Sequence, residues 1–495
     1  MLYRFYFLIP LFSYSLSYII VLPFNNINSY EKNNTENYLN EFTQQKYITS
    51  VSIGTPPQTI NINLLTNDYR FYIANEICYE NSISFYNYSE SSTFKTILPA
   101  SSPFDDLADA STANDKVSFY DNINLTTNKT TDDFFFFFYK KYRFKENSYI
   151  YCGVIGLSIN RENLDLDYLD DDDYLPTIFS TLKKYNFITK HSWTYEFFDK
   201  NNYDNNFIKN KTIINKYDGY IILGYYPHEY NPSIYSGHNL LNIYTDKNSY
   251  KFIWNFNFRN IYYYTNKTKV SNKEDYMINL DEKQVELLFT INYIISTKEY
   301  FESIQKNYFD YYINKSICSI NSFKKDYSQY KIISCEKGKF TINDIKKFPS
   351  IYFTHVEFNY TFVLNYDELF EENNNKIYFL IYYQESNLNL WKFGKLFLKK
   401  YHFSFNEDSS TIHFYSDYDE ILLRKKGLKM NENKSNKNVA AIIILCICLF
   451  IFSVVLGLFI GKIIAYKNDK KKANANELEE NYDYFSQKEN GINDV

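Results

Sequence analysis

Glycine and proline are scarce in this chain, with 12 and 10 residues among 495, and there are only 6 cysteines and 6 histidines. So little Gly and Pro excludes collagen-like and Pro/Gly-rich disordered classes. The histidines are scattered without metal-ligand spacing, so no metal site is expected, and nothing calls for a cofactor. A formal net charge of −5 leaves no general basic footprint, which argues against nucleic acid as a partner. What the chain does have is aromatic residues, 53 Tyr and 44 Phe, within a 45% hydrophobic composition. That is enough apolar surface to offset chain entropy over several hundred residues. The excess of Tyr, Phe, Asn, Ile and Lys matches AT-rich coding, a simpler cause than a functional demand for rings.

Long apolar runs occur at the two ends. Arg4 is followed by an apolar stretch over residues 5–21, which reads as a secretory signal peptide at 1–20 with a linker at 21–46. Residues 439–460 are uncharged and long enough to cross a hydrocarbon core of about 30 Å as a helix. Cations flank that run on both sides, so the signal peptide sets the orientation. The expectation is a single-pass type I membrane protein, its bulk extracellular or in a secretory or endolysosomal lumen. A juxtamembrane stalk would span 421–438 and a cytoplasmic tail 461–495. In the tail, Tyr482 to Phe485 resembles a tyrosine-based sorting signal, a match that chance also supplies in a Tyr-rich chain. Cys446 and Cys448 fall in the expected span, leaving Cys78, Cys152, Cys318 and Cys335 in an oxidising compartment that permits pairs. Glycosylation sequons stand at Asn33, Asn87, Asn124, Asn128, Asn210, Asn266, Asn314, Asn359 and Asn433.

Between the ends, from residue 47 to residue 415, short β-branched and aromatic runs alternate with Asn, Asp, Ser and Gly, which predicts a mainly β body. Helices are expected only as minor elements, at 175–185 and 298–308. Several words stand out in order: Ser52-Ile53-Gly54-Thr55-Pro56-Pro57-Gln58, Ser91-Ser92-Thr93-Phe94, Gly153-Val154-Ile155-Gly156-Leu157, Asp218-Gly219-Tyr220-Ile221-Ile222-Leu223-Gly224, Phe348-Pro349-Ser350, and Trp391-Lys392-Phe393-Gly394 running on to Tyr401. In order and spacing they resemble the two lobes of pepsin-like aspartic proteases (peptidase A1), from residue 45 to residue 420. The resemblance implies a bilobed pepsin-like double β-barrel with lobes at 47–242 and 243–420, plus the C-terminal transmembrane helix. It also implies a disulfide between Cys318 and Cys335, while the partner of Cys78 stays open, Cys152 being one choice. An internal echo, residues 64–69 against 287–292, fits two similar lobes.

That family works through two carboxylates, one per lobe, which share a proton so that one activates water while the other protonates the scissile carbonyl. Here the resemblance places the first Asp position on Leu65, in Leu65-Thr66-Asn67, and the second on Leu288, in Leu288-Phe289-Thr290. Thr66 retains a hydroxyl for a local bond, but its expected partner in the other lobe is Phe289, which has none. The family's flap should lie between Phe94 and Asp121, and residues 107–114 hold neither the Tyr nor the Gly of its Tyr-Gly pair. Asp68 and Asp281 are the nearby substitutes, yet neither is followed by a Gly turn, and a one-residue shift along a strand moves a side chain to the opposite face. The chain is therefore expected to be a catalytically degenerate homologue with a dry, apolar centre, binding a protein or peptide in the interlobe cleft or on its glycosylated surface. The alternatives are an active membrane-bound aspartic endopeptidase using Asp68 and Asp281, and a purely structural surface protein. The linker at 21–46 is shorter than the family's inhibitory prosegment. Asp165, Asp167 and Asp170 to Asp173 read as a solvated acidic loop, and the five-Phe run Phe134 to Phe138 as a buried strand or a product of coding bias rather than a lipid-binding wedge.

Overall fold

The structure is a computed structural model that describes residues 19–26, 46–74, 86–99, 109–120, 123, 125–141, 153–159, 177–200, 208, 210–245, 253–263, 283–325, 328–357, 360–385, 390–425, 460–468 and 470–472. The expected signal peptide up to residue 18 and residues 439–459 of the expected span lie outside the described residues. So do Cys78, Cys152, the acidic run, Asp281, Tyr482, Phe485 and the sequons at Asn33, Asn124, Asn266, Asn359 and Asn433. The chain divides into two units, 1–426 and 427–495. In the second unit the described residues are helical at 460–468 and exposed. Among the described residues no helix is long and apolar enough to cross a membrane.

The first unit is built from short strands. In chain order they are β1 (Ile20–Asn26), β2 (Tyr47–Ile53), β3 (Gln58–Leu65), β4 (Phe71–Ala74), β5 (Lys95–Pro99), β6 (Asp109–Tyr120), β7 (Asn128–Lys141), β8 (Gly153–Gly156), β9 (Ser192–Phe197), β10 (Gly219–Leu223), β11 (Leu240–Tyr244) and β12 (Asn255–Tyr263). They continue with β13 (Lys283–Leu287), β14 (Ile294–Ser296), β15 (Cys318–Lys325), β16 (Ser328–Glu336), β17 (Ile351–His355), β18 (Thr361–Leu364), β19 (Phe370–Asn373), β20 (Lys376–Phe379), β21 (Ile381–Gln384), β22 (Trp391–Phe393), β23 (Ser404–Asn406) and β24 (Thr411–Tyr415). Helices are few, including Ile178–Lys184, closed by a Thr177–Ser180 capping box within the expected segment, and Lys298–Ile304, which runs on through a π turn, Gln305–Phe309, to Asp310–Asn314, beyond the expected end at 308.

Two mixed sheets result. One runs β11-β24-β23-β9-β10-β1-β2-β3-β8-β4-β7-β6-β5, and the other β18-β17-β12-β13-β22-β14-β21-β16-β20-β19 with β15 beside β16. This corrects the expected pair of closed barrels. The second sheet is an open path, and in the first β6 reaches back to β1 through only Val21↔Tyr120 and to β2 through only Ser52↔Ser118 and Ile53↔Val117. Closure would require a continuous ladder all the way round.

Three boundaries also shift. β1 begins at Ile20 and lies between β10 and β2, with Ile20, Val21, Leu22 and Phe24 almost wholly buried, so the start of the supposed linker is a central strand. An apolar run serves a secretory leader and a sheet interior equally well, so the sequence pattern alone does not separate the two. The lobe boundary at 242/243 falls inside β11, whose partner is β24 from the far end of the body. The stalk expected from 421 begins instead inside a helix, Tyr418–Lys425, that buries Tyr418 and Ile421.

The aromatic excess fills this architecture. Phe134, Phe136 and Phe138 of the five-Phe run are fully buried, as period-two alternation in β7 requires. β9 and β10 are buried at every position, as strands covered on both faces should be. Cys318 and Cys335 face each other across β15 and β16 and are joined by the expected disulfide.

Candidate functional site

The two lobes repeat one local arrangement. In the first, β2 pairs antiparallel with β3, β3 parallel with β8, β8 antiparallel with β4, and β4 parallel with β7. In the second, the same order of pairings links β12, β13, β22, β14 and β21. Each parallel pair holds the turn that leaves it. The Gly156 N–H donates to Arg70 O at 2.8 Å, and the Gly394 N–H donates to Tyr293 O at 2.9 Å. Glycine is needed at both places, because a Cβ on Gly156 would lie 2.5 Å from Asp68 O and one on Gly394 2.2 Å from Ile291 O. Arg70 is the fifth residue after Leu65 and Tyr293 the fifth after Leu288, so the two Leu residues occupy equivalent places.

The turns meet directly. Thr66 Oγ1 accepts the backbone N–H of Phe289 at 3.0 Å, a buried bond between the lobes. The sequence reading, which allowed Thr66 only a local bond because Phe289 has no hydroxyl, is corrected here. Every residue except proline carries a backbone donor, and the side chain of Phe289 does not affect it.

Phe289 does something a Thr or Ser could not. Its ring is 1% exposed and lies against Tyr47 at 4.6 Å, Phe197 at 5.1 Å, Tyr195 at 5.4 Å and Phe24 at 5.5 Å, all on strands of the first sheet. Aromatic pairs at these separations add about 0.5–1.5 kcal/mol each to the burial of the ring itself. Lys395, directly after Gly394, extends over the same cluster, its ammonium 5.6 Å from the Phe197 ring and 5.9 Å from that of Tyr47. Burial pulls its pKa down, against the opposing pull of Asp218.

Leu288 is buried in a separate apolar cluster of the second lobe with Ile291, Tyr293, Ile295, Ile332 and Leu380. Leu65 is half-buried, Thr66 buried and Asn67 exposed. Asp68, a carboxylate in the first turn, is engaged by Arg70. Arg70 Nε donates to Oδ1 at 3.0 Å, Nη2 to Oδ2 at 2.8 Å and the Arg70 backbone N–H to Oδ1 at 2.9 Å. Both oxygens are thus committed inside their own turn, in the fork geometry Arg favours. Asp68 and Asp281 are not brought together among the described residues, Asp281 lying outside them.

A functional-looking carboxylate that sequence reasoning passed over is Asp115 on β6. It is fully buried and accepts from the Tyr86 hydroxyl, from Thr93 Oγ1 and from the Lys116 N–H at 2.7 Å. Burial, followed by the bond to Asp115, pushes the Tyr86 hydroxyl well above its ordinary pKa. Around this group the words at 52–58 and 91–94 pack together. The Gly54 N–H donates to Lys116 O at 2.8 Å, and the Thr55 N–H to Ser91 Oγ at 3.0 Å. Asp115 takes three donors and so ties these segments together. No signal marked it, since a lone Asp in the run Asn114-Asp115-Lys116 reads as surface. β5 and β6 form the hairpin where the flap was expected, and its tip, 100–108, lies outside the described residues.

No known protein family matches the chain by sequence, and no curated protein does. Among solved structures it resembles basic 7S globulin from soybean, at 10% identity and a TM-score of 0.51, over 81% of this chain and 95% of that one. The likeness is one of fold. It agrees at that coarse level with the bilobed pepsin-like architecture read from the sequence words.

Proposed function

We propose that this chain is a membrane-anchored, non-catalytic homologue of pepsin-like proteases that binds an extended peptide or protein segment in the cleft between its lobes. The observation that supports this most is the junction of the two turns. Leu65 and Leu288 stand at equivalent places, joined through Thr66 and Phe289, and the nearby Asp68 is held by Arg70. Water activation needs a carboxylate pair about 3 Å apart sharing one proton. A floor of Leu, Ile and Tyr suits apolar side chains of a bound segment instead. Anchoring by residues 439–460, with the body on the luminal or extracellular side, rests on the sequence pattern at the two ends.

The test is peptide capture. The full chain in detergent, immobilised through its C-terminus, is exposed to a library of extended peptides and the retained sequences are read. Retention of peptides with apolar residues, lost in Leu288→Arg while the thermal transition persists, supports the reading. No retention above that of the denatured chain overturns it and favours a purely structural surface protein.

A further inference from the structure

We infer that the groove beside the Cys318–Cys335 disulfide seats the innermost sugars of an N-linked glycan carried on Asn314. The inference rests on the luminal placement of the body proposed above.

Four sequon asparagines fall among the described residues, and their side chains differ. Asn87 is engaged on both atoms, Oδ1 accepting from Ser89 and Nδ2 donating to Glu90 at 2.9 Å. Asn210 uses Oδ1 to cap a helix through the Thr212 N–H. Asn128 and Asn314 are exposed and make no side-chain hydrogen bond with the described residues. Glycosylation joins Nδ2 to C1 of a sugar delivered on a lipid pyrophosphate. The C1–O bond breaks, the lipid pyrophosphate leaves and Nδ2 gives up one proton. The amide nitrogen must therefore be open, which favours Asn128 and Asn314 over Asn87.

What sets Asn314 apart is its surroundings. It ends a short helix, and Ser316, the hydroxyl residue of its own sequon, adopts a left-handed conformation (φ 56°) that turns the chain into β15. The Ser316 N–H donates to Ile313 O and the Ile317 N–H to Tyr312 O, both at 2.9 Å, which fixes that turn. A groove of about 440 Å³ opens against it, within the size range that holds a small ligand. Apolar Ile313 and Ile317 and polar Ser316, Ser319, Glu336 and Lys376 are among the residues that line it. An N-acetylhexosamine has the matching character, an apolar ring face and acetamide methyl beside hydroxyl and amide groups. Ile313 and Ser316, on either side of Asn314 in the chain, both line the groove, so a sugar on Asn314 begins one residue away from its lining.

The experiment uses the full chain made in a eukaryotic secretory host, with occupancy of each sequon read by mass spectrometry. A peptide-N-glycosidase time course follows on the native protein. The expected result is sugar on Asn314 that is released at least about tenfold more slowly than sugar on Asn128, a difference of about 1.4 kcal/mol in exposure of the linkage. Unfolding should abolish the difference. Ser319→Tyr, an exposed substitution that fills the groove, should leave occupancy unchanged and bring release at Asn314 to the Asn128 rate. Bare Asn314 alongside occupied Asn128, or equal native release rates in the unmodified sequence, overturns the inference. Absence of sugar at every sequon refutes the luminal placement, and the inference with it.

Discussion

The two turns at the lobe junction sit at equivalent places on the scaffold and have opposite chemistry. The first, Leu65 to Arg70, is half open and polar, with Asn67 exposed and Asp68 clasped by Arg70. The second, Leu288 to Tyr293, is closed and apolar, with Phe289 inserted among the rings of β1, β2 and β9. Both are held by equivalent glycine contacts, so the scaffold does not depend on the side chains the turns present. The second turn therefore serves as packing material between lobes, while the first retains the one hydroxyl, Thr66, that ties the two together.

This asymmetry is open to measurement. Phe289→Ala should have the largest effect, a loss of about 3–5 kcal/mol by denaturant unfolding, as for other fully buried rings. Leu65→Ala, at the equivalent edge of the half-open turn, should cost well under half of that; equal losses would erase the distinction.

Acid should act next. Burial pulls His355 of the second lobe down to about 4, and burial, with smaller contributions from His228 and Lys190, does the same for His413 on β24. An unfolded His titrates near 6.5. Above that pH both states are neutral and the full contribution is present. As pH falls from about 6.5 toward 4, only the unfolded chain takes up the proton, so stability declines by up to about 1.4 kcal/mol per pH unit for each His. Thermal transitions across that window should fall with acid, and His355→Gln should flatten the slope. An unchanged slope would remove His355 from the account.

Thr66→Val should cost about 1–3 kcal/mol, because it leaves the buried Phe289 N–H without its acceptor, whereas Thr66→Ser should cost much less. Asp68→Asn should be the mildest. The pair it breaks is partly exposed and worth about 1 kcal/mol or less.

Much of this was readable in the sequence where backbone geometry dictates residue type. Gly54, Gly156 and Gly394 stand where a Cβ would meet neighbouring atoms at 3.0 Å or closer, so the words around them are the ones that could be read. The pair Cys318 and Cys335 was legible only through the family resemblance, and the structure sets it at two opposed positions of one hairpin. Other features left no local trace. β1 was hidden because a buried strand and a secretory leader are both simply apolar. The bond from Phe289 to Thr66 was hidden because a backbone N–H belongs to no residue type. Asp115 was hidden because its partners, Tyr86 and Thr93, are distant in sequence. The low glycine count takes on meaning in this light, since the glycines that remain include the ones the turns cannot do without.

The most direct test of the central claim is peptidase activity itself. The purified full chain is incubated with a broad peptide library from acidic to neutral pH, with and without pepstatin, and products are read by mass spectrometry. The account predicts no pepstatin-sensitive cleavage at any pH. Cleavage that pepstatin blocks, and that Asp68→Asn or Asp281→Asn abolishes, would contradict it.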